Sequence, residues 1–138
     1  GLFMNFIDWT DDLSVGVVTF DEQHKKLISI INKLFDALKQ GKANNILSEI
    51  FDELIDYTKF HFKSEEQLMT KYGYKDYEYH LKEHNYLTDK VVDLKEKYKE
   101  GDLMISIEVM EFLRNWLKNH ILVTDRKYGK FFNDHGIN

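Results

Sequence analysis

The chain is 138 residues long, the size of one ordinary domain, enough to bury roughly two-thirds of its unfolded surface without a disulfide or metal to help it fold. Cysteine is absent, which excludes thiolate metal sites, iron–sulfur clusters, cysteine nucleophiles and disulfides, and leaves any metal to nitrogen and oxygen ligands. The 19 Lys and Arg and 24 Asp and Glu are mixed along the chain to a net charge of -5, so the basic stripe of a nucleic-acid binder is missing; no apolar run nears the roughly 18 to 20 residues that span a membrane.

The start, Gly1-Leu2-Phe3-Met4-Asn5, has neither the basic opening nor the apolar core of a signal peptide. That predicts a soluble, cytoplasmic protein, either beginning natively at Met4 or cut from something longer. Residues 1–18 show no sustained period; Phe6, Ile7 and Trp9 predict an extended N-terminal arm packed on the body, with Trp9 as an anchor.

Proline is absent and glycine scarce, so helices can run long, with Gly41, Gly73 and Gly101 marking their ends. Thr19-Phe20-Asp21-Glu22 has the form of a capping box and predicts a helix over about 20–40, with Leu27, Ile28, Ile31, Leu34, Phe35 and Leu38 inward; one turn back lies His24. Asn44 or Asn45 is the expected N-cap of a second helix, about 45–72, whose buried side carries Leu47, Ile50, Phe51, Leu54, Ile55, Thr58, Phe62, Leu68 and Met69, and also His61 and Glu65. A third, about 76–100, shows a heptad-like seam of His80, His84, Leu87, Val91, Leu94 and Tyr98. The fourth, about 105–132, points Ile105, Val109, Phe112, Leu113, Trp116 and Leu117 inward, and the series continues to His120. Four helices of about 20 residues with short connections predict an all-α fold: an antiparallel up-down-up-down four-helix bundle, about 30 Å long, forming a single domain over residues 1–138.

Five of the six histidines (His24, His61, His80, His84 and His120) therefore fall in the stripe that their own helix buries, together with Glu65, while His135 lies in a polar tail. One buried His is ordinary, and a hydrogen-bonded polar core explains it. Five without partners would cost on the order of several kcal/mol, and a metal centre is the economical alternative, since bundle cores build such sites from facing helices. His61-x-x-x-Glu65 and His80-x-x-x-His84 each place two ligand types on one helix face. Asp125 is five residues after His120, a step that turns its carboxylate away in a regular helix; either the helix ends there or a π-type turn brings the two together.

The ordered set His24, His61-x-x-x-Glu65, His80-x-x-x-His84 and His120-x-x-x-x-Asp125 closely resembles the hemerythrin family, its bacterial members in particular, over nearly the whole chain. The resemblance implies a non-haem di-iron centre with an oxide or hydroxide bridge: His80, His84 and His120 on one iron, His24 and His61 on the other, and Glu65 and Asp125 bridging. Five imidazole bonds, four carboxylate bonds and two from the bridge leave one of twelve octahedral positions open, on the iron with two histidines. The implied function is reversible binding of dioxygen there, as a store, carrier or delivery module, with azide or similar small anions as analogues. By family position the oxygen pocket is walled by Leu27, Phe62, Trp116, Leu117 and Ile121. Tyr128, one turn after Asp125, is placed either to support that carboxylate or simply to pack. The alternative function is an oxygen- or redox-sensing domain, and a peroxide- or nitric-oxide-detoxifying enzyme ranks behind it. No enzyme is expected, weak peroxidase-type activity aside; nucleic acid and membrane are not expected partners, whereas a signalling or oxygen-accepting protein is.

Overall fold

The computed structural model describes residues 6–99 and 103–138 and is all-α. Helix α1 spans Val18–Lys39, α2 Asn44–Tyr72, α3 Tyr77–Lys99 and α4 Leu103–Asn119; a π-helical segment, His120–Asp125, joins α4 to α5, Arg126–Asp134. The backbone stays right-handed helical at Asn119, Asp125 and Arg126, so α4, the π segment and α5 form one continuous fourth rod. α1 packs on α2, α2 on α3 and α3 on α4, which is the expected antiparallel four-helix bundle. Gly101 and the side chains of Ile105 and Val109 lie outside the described residues.

Two helix starts differ from expectation. Thr19 is not an N-cap: α1 already begins at Val18, after an extended Val17 with no side-chain cap. A first-turn carboxylate instead reaches back out of the helix. The Asp21 carboxylate accepts from Val15 N at 2.8 Å and from Ser14 Oγ at 2.5 Å, tying the arm to the first turn. Asn44 is likewise the first residue of α2 rather than its cap, and Ala43 precedes it without a side-chain cap. The C-terminus of α2 follows the prediction: Gly73 takes φ 71°, and the Gly73 and Tyr74 amides both donate to Met69 O.

The apolar stripes meet where they should. Leu34, Met69, Leu94 and Met110 are fully buried, each such side chain contributing roughly 1.5–3 kcal/mol. Phe112 is a correction. It is 38 % exposed, because Met110, Leu113 and Leu117 form the inward line of α4 and Phe112 stands beside it, its ring 6.2 Å from that of Tyr86. Phe35, Ile55 and Leu68 are half-buried at the edges of their stripes. Phe35 is covered by Phe6 of the arm, the rings stacked at 4.0 Å.

The arm packs as expected and includes one 3-10 turn, Asp11–Leu13. Ile7, Leu13, Val15 and Val17 are buried, and the Ile7 peptide is gripped by the Asn32 amide through bonds of 2.7 and 2.8 Å. Trp9 is half-buried with the Lys25 ammonium 5.1 Å from its ring. The arm crosses α5 at Gly129, where a Cβ would stand 1.9 Å from Val15 O, so only glycine permits the crossing.

Candidate metal centre

Each helix brings its polar residues to the same level of the bundle. His24 lies near the start of α1, His61 and Glu65 toward the end of α2, His80 and His84 near the start of α3, and His120 and Asp125 at the two ends of the π segment. The π turn answers the question that the five-residue spacing raised: i to i+5 hydrogen bonding restores to one face two residues that an α-helix would hold apart. His120 Nε2 and Asp125 Oδ1 are 2.9 Å apart.

All seven candidate residues are buried, none more than 3 % exposed, and they converge. Glu65 Oε1 is 3.4 Å from His61 Nε2 and 3.2 Å from His84 Nε2, while Glu65 Oε2 is 3.5 Å from His24 Nε2. Asp125 Oδ1 lies 2.8 Å from His80 Nε2 and Oδ2 3.2 Å from His24 Nε2. Among the described residues two groups can hold a cation with ligand atoms within 4.8 Å of one another: Glu65, His80, His84, His120 and Asp125, and His24, His61 and Glu65. Glu65 belongs to both.

The donor set fits cations. His24 Nε2, Glu65 Oε1, His84 Nε2, His120 Nε2 and Asp125 Oδ2 are buried without a hydrogen-bond partner among the described residues. Interiors rarely tolerate one such atom. Five aimed into one small volume are satisfied together by a positive ion, and nitrogen and carboxylate oxygen suit first-row transition metals.

Three imidazoles are held in orientation by their outer nitrogens. His84 Nδ1 lies 2.6 Å from Glu66 Oε2 and His120 Nδ1 2.7 Å from Glu83 Oε2; a carboxylate only accepts, so Nδ1 carries a proton and Nε2 is the nitrogen turned inward. His61 Nδ1 donates in the same way to Gln23 Oε1 at 2.7 Å. Gln23, Glu66 and Glu83 were not singled out from the sequence. The only signal they carry there is position, each being the immediate neighbour of a candidate ligand.

Without metal the charges balance internally. Burial opposes protonation of His24, but Asp125 and Glu65 outweigh it and push its pKa up to about 9; burial is likewise outweighed at His120, by Asp125 and then Glu83, and its pKa rises to about 10. His61 is held down at about 4 by its burial. Burial pushes the Asp125 and Glu65 carboxyls up, yet the surrounding imidazoles hold both well below the usual carboxylate range. Tyr128, fully buried, donates its hydroxyl to Glu65 Oε2 rather than to Asp125, and burial with the two carboxylates keeps it protonated.

Of the expected pocket residues, Leu27, Phe62, Leu117 and Ile121 are buried and Trp116 is half-buried. Phe62 stacks on His84 with centroids 3.8 Å apart and planes 3° apart, and Trp116 stacks on His120 at 4.6 Å. Leu27 and Leu117 are each three residues from a site histidine and Ile121 one. His135 is exposed at the C-terminal end of α5, bonded to Phe131 O.

Fold and site together define a class, the helical bundles that hold cations at a buried layer of imidazoles and carboxylates. Residues 15–132 match the family profile described as Hemerythrin HHE cation binding domain. The chain belongs to the hemerythrin family. It is 38% identical over 127 residues to a bacteriohemerythrin of Methylococcus capsulatus, covering 91% of this chain and 96% of that protein. To a bacteriohemerythrin of Pseudomonas aeruginosa it is 37% identical over 125 residues, covering 91% and 80%. A crystal structure of wild-type hemerythrin superposes with a TM-score of 0.82 at 36% identity, covering 91% of this chain and 96% of the other.

Proposed function

We propose that the protein binds dioxygen reversibly at a pair of non-haem irons, as an oxygen store, carrier or delivery module. His80, His84 and His120 would hold one iron and His24 and His61 the other, with Glu65 and Asp125 as the carboxylates shared between them. The observation that carries this reading is the sharing of Glu65 between two cation-capable groups, with His24 Nε2 lying 3.5 Å from Glu65 and 3.2 Å from Asp125. A single-ion site has no use for two carboxylates placed between two histidine sets.

When bound, an iron pair would supply the two electrons that reversible dioxygen binding needs. The protein supplies the conditions under which that exchange is reversible. Neutral imidazoles outnumber carboxylates five to two, a ligand set that adds little negative charge and favours ferrous iron. Asp125 offers one oxygen to each histidine set, Oδ1 to His80 and His120 and Oδ2 to His24. Tyr128, donating to Glu65 Oε2, fixes the rotation of the other carboxylate. Buried Leu27, Phe62, Leu117 and Ile121, with Trp116 stacked over His120, would keep water and its protons away from the site.

Metal analysis of the purified protein, with the visible spectrum of its oxidised form in azide, tests the proposal. Two irons per chain and azide-dependent charge-transfer bands are expected. One ion per chain, or zinc without such bands, would overturn it.

A further inference from the structure

The three outer hydrogen bonds follow one rule. Gln23, beside His24 on α1, holds His61 on α2; Glu66, beside Glu65 on α2, holds His84 on α3; Glu83, beside His84 on α3, holds His120 in the π segment. A residue adjacent to one ligand thus orients a ligand on the next helix. The three acceptors are unequal in charge. His84 and His120, both in the larger group, donate to carboxylates that reach the surface, Glu66 being 20% and Glu83 23% exposed. In the smaller group His61 donates to a neutral amide, and His24 Nδ1 is buried with no hydrogen-bond partner among the described residues.

We propose that Glu66 and Glu83 are positioning residues that make the two metal positions electronically unequal. A carboxylate drawing on Nδ1–H gives the imidazole part of the character of an imidazolate, a stronger donor that favours the higher oxidation state of the ion at Nε2. An amide does so far less. The position held by His80, His84 and His120 is therefore the one that gives up its electron first, and the position held by His24 and His61 keeps its ferrous character longer. One-electron oxidation by an outer-sphere acceptor such as ferricyanide removes one electron from the larger group and leaves the smaller one reduced. This inference rests on the di-iron reading above.

The test is spectroelectrochemical titration of the iron-loaded full chain, with iron quantified in every sample. Glu66→Gln and Glu83→Gln are expected to raise the first midpoint potential, shifting the reduced-to-oxidised ratio at fixed potential by about tenfold, about 59 mV for one electron. Gln23→Glu keeps the acceptor and adds a charge beside the smaller group, so it should lower the second midpoint potential. A Glu83→Gln protein with full iron and an unshifted potential, or a Gln23→Glu shift of the same sign as Glu66→Gln, would overturn the proposal. Should the carboxamide variants lose iron, Gln23→Glu decides alone, and a second midpoint potential that does not fall rejects the proposal. Failure of the di-iron reading shows separately, as a wild-type protein without an iron pair. In that event Co(II) affinity, measured by competition, should still weaken about 10- to 100-fold in Glu66→Gln and Glu83→Gln, and unchanged affinity rejects the positioning role.

Discussion

His61 and His135 are the informative pair among single side chains. Both are histidines in helical surroundings, but His61 is 1% exposed with Nε2 facing Glu65, whereas His135 is exposed and bonded to a backbone carbonyl. Replacing His61 or His80 by Ala should lower iron content, and His135→Ala should leave it at the wild-type level; equal losses would undermine the ligand assignment. Protonation provides a second test. In the metal-free protein His24 and His120, raised from the ordinary 6.5 to about 9 and about 10, contribute stability that is fully present below about pH 6.5 and is lost as pH rises through 9 to 10. His61, lowered to about 4, contributes stability present above 6.5 and lost as pH falls toward 4, and the depressed Glu65 and Asp125 act in the same direction at lower pH. Metal-free protein should therefore be most stable near pH 6 to 7. Metal loading at pH 7 must displace the protons on His24 and His120, about two per chain, which calorimetry in buffers of different ionisation enthalpy would register. Loading without proton release would show that the imidazolium–carboxylate balance is wrong.

At the scale of elements the π segment and the arm are the informative pieces. The π segment accommodates one residue more than an α-helix needs between His120 and Asp125. Val123 lies within it and is 57% exposed. Its deletion should return the segment to α geometry with His120 and Asp125 four residues apart on one face, and iron content should survive; loss of iron with the fold intact would mean that the π geometry itself is required. The arm depends on Gly129. Gly129→Ala puts a methyl 1.9 Å from Val15 O, so the arm must lift, with an expected destabilisation of about 1–3 kcal/mol by thermal unfolding and a change in Trp9 fluorescence. An unchanged Tm would contradict that packing.

These elements also show what was legible in the sequence. Apolar periodicity located all four rods within a few residues, and i to i+4 spacing paired His61 with Glu65 and His80 with His84, because both signals are local to one helix. The α1 start differs because Thr19 lies inside the helix, which begins at Val18 without a side-chain cap, and Asp21 bonds the arm at Val15 rather than closing a capping box. Gln23, Glu66 and Glu83 escaped notice for a related reason: each looks like an ordinary half-exposed polar residue on its own helix, and its partner belongs to the next one. Phe112 was drawn inward by hydrophobicity alone, although its position on α4 faces Tyr86 at the surface.

For the whole molecule, an apolar bundle carries one polar layer, and that layer has more buried unsatisfied ligand atoms than a core of hydrogen-bonded histidines would leave. No helix among the described residues is long and apolar enough to cross a membrane. The central claim is that this layer takes up dioxygen and gives it back. The direct measurement is a cycle in which anaerobic, chemically reduced protein is mixed with dioxygen, the solution is then purged with inert gas, and the visible spectrum is followed throughout. A new absorption that appears on mixing, disappears on purging and returns on a second exposure is the expected result. Oxidation to a form that purging does not reverse, within the first cycle, would contradict it.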